Sequence, residues 1–249
     1  MNGGADHSVG SIVAHCSEFP QGHAIAPHRH QNSLFVYSSS GVMTLAAEEG
    51  AWVIPPDRAV WVPAGAIHET RMISPVSTMT VWIEPDPLMQ MPRKCQVVNV
   101  SPLMRELLIE AVKFTKASNN VRTRLITALL LNELETLPGL PFRLPFPKNL
   151  QLADLCRRFY RNPTPHETIN DWSDAIGVSR RTFTRMFRSE TGLSFAAWRQ
   201  QACLLAALPR LAAGEPITTV ALDLGYNSPA AFTTMFKRLH GVPPSRYLA

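Results

Sequence analysis

The 249-residue chain lacks the marks of a secreted, membrane-spanning or thiol-dependent protein. Its four cysteines, Cys16, Cys95, Cys156 and Cys203, are scattered with no CxxC pair, which leaves a reduced, cytosolic chain with small buried thiols as the simplest reading. No apolar run approaches the roughly 18 residues that a membrane span needs. The opening "MNGGADHSVG" has no basic region followed by an apolar stretch, so neither a secretory signal nor a membrane partner is expected. The first part of the chain also lacks a charge excess: residues 1–145 hold 11 Lys and Arg against 12 Asp and Glu. Residues 146–249 hold 13 against 7, so the net charge of +5 belongs wholly to the C-terminal part. That asymmetry points to a polyanionic partner for one domain only. Apolar residues, at 45%, are ample for a buried core in one or two domains.

From about Val9 to Ile83, short apolar runs such as "SLFVY", "AVWVPAG" and "STMTVWIE" alternate with Gly, Pro and charged turns. Several short strands at this spacing predict a β-sandwich or barrel. "EPDPLMQMPRKC" reads as an irregular connection, and "CQVVNV" as a further strand. Helical periodicity follows. Ser101-Pro102 makes an N-cap and first-turn pair, with Leu103, Leu107, Leu108, Ala111 and Val112 at helical spacing. A second helix over about Val121 to Leu137 aligns Leu125, Leu129, Leu130 and Leu134. These stripes either pack on their own sheet or form a subunit interface. "LPGLPFRLPFPKN", with Pro138, Pro141, Pro145 and Pro147, cannot continue a helix and is the natural domain boundary. Short helices and turns fill the remainder.

Within that remainder one helix occurs twice. "SRRTFTRMFRSETG" (179–192) aligns without a gap to "SPAAFTTMFKRLHG" (228–241). In the first copy Phe183, Met186 and Phe187 form one buried face, while Arg181, Thr184, Arg185 and Arg188 line another. "INDWSDAIGVS" upstream supplies a helix with Trp172, Ala175 and Ile176 inward, a Gly177-Val178 turn and Ser179 as cap. "ITTVALDLGYNS" repeats the plan with Val220, Ala221 and Leu224 inward and Ser228 as cap. Helix, Gly-containing turn and second helix describe a helix-turn-helix, whose second helix enters the DNA major groove. Arginine suits such a face because its planar fork donates two hydrogen bonds to guanine, and threonine can touch a thymine methyl. Arg188 and Lys237, further along each helix, are placed for phosphates. A helix from about Ser194 to Ala212 joins the units, and Pro209 should kink its last turns.

The last hundred or so residues resemble the DNA-binding domain of the AraC/XylS transcription regulators, most specifically over "ALDLGYNSPAAFTTMFKRLHGVPPSRYL". The resemblance implies an all-α domain in which two helix-turn-helix units, joined by a linker helix, read asymmetric DNA. By position, the family's base-facing slots fall on Arg181, Thr184 and Arg185 in the first unit and on Pro229, Ala230 and Thr234 in the second. Arg180, beside the first set, completes the candidate DNA-binding residues with Arg188 and Lys237.

Two further stretches, "GHAIAPHRHQNSLFVYSSSG" and "WVPAGAIHETRM", are spaced like the two motifs of the cupins, small β-barrels that often hold a metal. His28 and His30 would share one strand face, and His68 would join them from a neighbouring strand. Three imidazoles suit one divalent transition metal, such as Zn, Ni, Co, Mn or Fe. The cupin pattern expects Glu where Leu34 stands and Asn where Met72 stands, so the usual fourth ligand is missing. A three-histidine site, a metal-free ligand pocket and inert core histidines all remain open. Tyr37, Trp52, Trp61 and Trp82 can line a pocket or simply fill the core.

The expected architecture is a two-domain α+β chain. Residues 1–98 form a cupin-like effector or metal barrel, 99–140 a helical, dimerising connector, and 141–249 the DNA-binding domain. The expected function is a cytoplasmic, sequence-specific transcription regulator controlled by a small molecule or metal. Double-stranded DNA, RNA polymerase and a second copy of the chain are its expected partners. A metal-dependent cupin enzyme fused to a DNA-binding module and an architectural DNA binder are the competing readings.

Overall fold

The structure is a computed structural model that describes residues 12–84, 91–114, 120–140, 143–163, 166–240 and 243–247. Val9, the connection over 85–90 and Gly241 lie outside the described residues.

Among the described residues nine strands come first: β1 (Ile12–Phe19), β2 (Ala24–His28), β3 (Ser33–Ser40), β4 (Met43–Ala47), β5 (Gly50–Ile54), β6 (Arg58–Val62), β7 (His68–Met72), β8 (Val76–Ile83) and β9 (Gln96–Asn99). Helices α1 (Pro102–Ala111) and α2 (Val121–Thr136) and short strands β10 (Gly139–Leu140) and β11 (Arg143–Pro145) follow. The chain continues with α3 (Leu150–Arg161), α4 (Ile169–Ala175), α5 (Arg180–Thr191), α6 (Phe195–Ala212), α7 (Ile217–Asp223), α8 (Pro229–His240) and α9 (Pro244–Tyr247).

The strands make two antiparallel sheets, β1-β8-β3-β6-β9-β10 and β11-β5-β4-β7-β2. This is the expected cupin-like barrel in flattened form, with no ladder joining the two sheets among the described residues. Between them lies a core that includes Leu34, Leu45, Trp52, Ile54, Val60 and Met72. Both sheets are also covered outside. The first packs Phe35, Tyr37, Trp61 and Val81 against Met104, Leu108, Leu130 and Leu134 of α1 and α2. The second packs Val53, Ile73 and Phe146 into one continuous core with the C-terminal helices. Each such side chain contributes about 1.5–3 kcal/mol when fully buried, so the helical part is seated on the sheet rather than tethered to it.

Of the two roles left open for Tyr37 and Trp61, strand periodicity gives them that of core. Tyr37 and Trp61 stand one residue out of phase with Val36 and Val60, so they face α1 and α2 and not the interior. Their polar ends are occupied there: the Tyr37 hydroxyl donates to Asp57 at 3.0 Å and Trp61 Nε1 donates to the Pro92 carbonyl at 2.7 Å.

The two connector helices start where capping predicts. The Ser101 side chain accepts from the Met104 amide, with Pro102 in the first turn, and Asn120 caps α2 through the Thr123 amide. Their buried faces differ from the expected stripes. Met104, Thr127 and Leu131 turn inward beside Leu107, Leu108, Leu130 and Leu134. Leu103 (47% exposed), Leu125 (65%) and Leu129 (41%) turn outward, as does Val121 (62%). The proline-rich segment breaks the helix as expected, yet it also supplies β10 and β11. β11 sits at a sheet edge beside β5, where Pro145 is tolerated because a ladder bond on that side is not required. Gly41, between β3 and β4, has φ +75°, and a Cβ there would lie 2.0 Å from the Pro75 carbonyl oxygen, so only glycine fits.

Candidate nucleic-acid interface and histidine cluster

The first helix-turn-helix is built from local chemistry. Thr168 and Asp171 form a reciprocal capping box that starts α4. Gly177, at φ +68°, ends it, with its amide bonded to the Asp174 carbonyl and the Val178 amide to the Ser173 carbonyl, both at 3.0 Å. Ser179 then caps α5 through the Thr182 amide, and Gly192, again left-handed, closes it. In α4 Trp172 and Ser173 are buried, whereas Ala175, expected inward, is exposed.

The second unit repeats these bonds. Gly225 has φ +79°, its amide bonds to Leu222 at 3.0 Å, and the Tyr226 amide bonds to Ala221 at 2.9 Å. The turns repeat at 48 residues (Gly177 to Gly225) but the caps at 49 (Ser179 to Ser228), so the second unit carries one extra residue, Asn227. Ser228 caps α8 through the Ala231 amide at 3.1 Å.

α6 holds the units apart. It begins at the Ser194 cap and runs through Pro209 without ending there. Six aromatic rings, from Phe159, Trp172, Phe183, Phe187, Phe195 and Trp198, form the pivot of the first unit. Trp172 is central. It lies 4.9 Å from Phe195 and 5.8 Å from Trp198, and its Nε1 donates to Glu167 at 2.6 Å. Trp198 Nε1 donates to the Pro145 carbonyl at 2.6 Å, tying the linker helix to β11.

With Phe183 and Phe187 buried, α5 turns Arg180, Arg181, Thr184, Arg185 and Arg188 together to solvent. The Thr184 hydroxyl donates to the Arg180 carbonyl at 2.8 Å, which leaves its methyl and lone pairs facing outward. α8 likewise buries Phe232 and Phe236 and exposes Ala230, Thr234 and Lys237, with Pro229 half-buried. One face is a row of guanidinium groups. The other is small and uncharged over its first turns, with Lys237 and Arg238 further along.

The three candidate metal ligands also come together. Nitrogens of His28, His30 and His68 all lie within 4.8 Å of one another. His28 on β2 is paired in register with His68 on β7, and His30 follows just after β2. Nδ1 of His28 lies 2.8 Å from the Ala26 carbonyl, and Nδ1 of His68 lies 2.9 Å from that of Ala66. With the proton on Nδ1 each ring donates to that carbonyl and leaves Nε2 free, and a backbone acceptor of this kind orients an imidazole for ligation. Burial holds the His68 imidazole below its usual pKa, and burial with the nearby His28 does the same to His30. Both therefore favour the neutral form that binds metal. Leu34 is buried in the apolar core between the sheets and offers no carboxylate. The donor set fits a metal held by three nitrogens with open positions. Trp82, half-buried, stands edge-on to His30 at 4.5 Å, whereas Trp52 is core.

Pairing across the domains escaped the sequence reading. Arg161 on α3 meets Glu69 on β7 at 3.7 Å, and Arg157 donates to the Glu48 carbonyl at 3.3 Å. The alternation "HETR" in β7, polar at every position, is the signal that both faces of that strand carry work.

Two family models match the chain: an AraC-like ligand binding domain over residues 14–134 and a helix-turn-helix domain over residues 172–249. The HTH-type transcriptional regulator NimR of Escherichia coli (strain K12) is 32% identical over 241 residues, which cover 96% of this chain and 88% of NimR. The regulatory protein SoxS of the same strain is 38% identical over 72 residues, 28% of this chain and 67% of SoxS. Among solved structures, ToxT from Vibrio cholerae aligns over 96% of this chain and 98% of its own at 14% identity, with a TM-score of 0.41, a likeness too distant to carry an argument.

Proposed function

Because the chain belongs to the AraC/XylS family of HTH-type transcriptional regulators, with an AraC-like ligand-binding domain and a helix-turn-helix domain, we propose a division of labour between its two DNA-facing helices. The first unit chooses the site through Arg181, Thr184 and Arg185, with Arg180 beside them. The second unit positions the protein through Pro229, Ala230 and Thr234, and Arg188 and Lys237 hold phosphates. The observation that carries this reading is the contrast between the guanidinium row on α5 and the small, uncharged opening turns of α8, whose cations Lys237 and Arg238 come only later, on turns with the same bonding pattern. Selection of duplexes from a random pool tests it. A single enriched motif, preferred over random duplex by about a thousandfold or more, is the expected result. Equal retention of all duplexes would instead describe an architectural binder.

The protein acts in the cytoplasm on double-stranded DNA, with RNA polymerase as a further partner, and catalyses nothing. Residues 1–98 sense the effector, 99–140 pair two copies, and 141–249 bind DNA. The outward stripe of Val121, Leu125 and Leu129 on α2, with Leu103 on α1, supports a homodimer through these helices. A small molecule or divalent transition metal in the cupin-like domain biases dimerisation or the DNA-bound conformation. When bound, the metal supplies a Lewis-acidic centre with open positions, held by His28, His30 and His68. The buried apolar Leu34, in place of a carboxylate ligand, weighs against the competing reading of a metal-dependent enzyme. Elemental analysis of protein purified without an affinity tag should find about one metal per chain, lost in the His28/His30/His68 triple alanine variant. No metal, with an unchanged effector response in that variant, contradicts the metal assignment.

A further inference from the structure

The first turns of the linker helix α6 line a cleft of about 710 Å³ that opens between the two helix-turn-helix units. Arg180 and Thr184, on the arginine face of α5, border it on one side. The Gly225–Asn227 turn and Ala231 of α8 border it on the other, and Arg199 and Gln200 of α6 lie between. The cleft therefore joins the two DNA-facing helices into one surface.

Its chemistry is one-sided. Two guanidinium groups, those of Arg180 and Arg199, line it, and among the described residues no carboxylate does. Arg199 donates to the Glu167 carbonyl at 2.7 Å, a bond that fixes the side chain and neutralises no charge. The side-chain amides of Gln200 and Asn227 hydrogen-bond to no described residue, so each brings unused donors. Ala196, Gly225 and Ala231 add little bulk, which leaves room for a second backbone to come close. An anion with several acceptor oxygens suits this lining.

The geometry of DNA supplies one. Two reading helices that enter successive major-groove turns from one side stand about 34 Å apart. The minor groove between those turns then faces the protein and presents its phosphates midway, where α6 lies. We propose that α6 is a third DNA-contacting element: the cleft takes the phosphates midway between the two reading helices, held by Arg199 and by the amides of Gln200 and Asn227. The inference rests on the reading above, in which α5 and α8 both face DNA. Such contacts carry no base sequence, but they fix the distance and direction at which the two units meet the duplex. They also give a role to Asn227, the extra residue of the second turn.

Phosphate-ethylation interference on the full chain, with an operator taken from the random-pool selection, tests the assignment. Ethylation removes the negative charge of one phosphate, so in the wild type it should weaken binding at phosphates midway between the protected guanines. Gln200→Glu should weaken binding to every sequence about tenfold and leave the enriched motif unchanged. It should also abolish or reverse the midway interference, because a neutral phosphotriester no longer repels the new carboxylate. Gln200→Ala, which removes the donors without adding charge, should weaken binding less. Melting curves verify both folds; should Gln200→Glu misfold, Gln200→Ala and the wild-type interference pattern decide. Base contacts without midway interference, wild-type affinity in Gln200→Glu, or weaker binding with an unaltered interference pattern would overturn the proposal and leave the reading roles of α5 and α8 standing. A wild type that enriches no motif would overturn both.

Discussion

Replacing Arg181 or Arg185 by alanine is expected to cost about 1–3 kcal/mol of specific DNA affinity and to relax the preference at one or two base pairs. The reason is geometric. α5 is fixed at both ends, by the Ser179 cap and the left-handed Gly192, and is anchored through Phe183 and Phe187. Its arginines therefore leave a rigid rod with a defined direction, and each fork can meet one guanine edge. Substituting Ala230 or Thr234 on α8 should change sequence preference far less, because neither offers a forked donor. Footprinting on a selected operator measures both. Arginine variants that keep full sequence preference would remove Arg181 and Arg185 from the reading role.

Trp172→Ala is expected to be the most damaging single change to the fold, at about 3–5 kcal/mol. It would open a void beneath five other aromatic rings and leave Glu167 without the indole N–H that now reaches it at 2.6 Å. The loss should concentrate in the helix-turn-helix domain: DNA binding is lost and near-UV circular dichroism falls to the part carried by Tyr37, Trp52 and Trp61, while strand content persists. Chemical denaturation with tryptophan fluorescence and far-UV detection follows this. A loss below about 1 kcal/mol would mean that the aromatic cluster is not the pivot described.

What could be read from the sequence followed from how local each determinant is. The caps of α1, α5 and α8, the Gly177 and Gly225 turns and the duplicated unit depend on residues close together in the chain, and they stand where the spacing puts them. The three histidines needed one long-range pairing, and the motif spacing supplied it. Faces were harder. α2 carries apolar residues on more than one side, so periodicity alone could not tell Leu125 and Leu129, which face outward, from Leu130 and Leu134, which face in. Strand alternation could not choose between pocket and core for Tyr37 and Trp61 for a related reason: the first sheet is covered on both faces, so apolar residues occupy both phases. β11 was hidden by prolines, which exclude a helix but still permit an edge strand. The cleft between the two units depends on how they dock on α6, a three-dimensional fact that the spacing of residues along the chain does not contain.

The most direct measurement is genome-wide DNA occupancy of the wild-type protein beside the Arg181→Ala/Arg185→Ala double variant. The wild type should occupy a limited set of sites sharing one motif, with genes beside them that identify the chemistry being sensed, and the double variant should lose or blur that motif. A double variant that occupies the same sites with the same motif and strength would contradict the account.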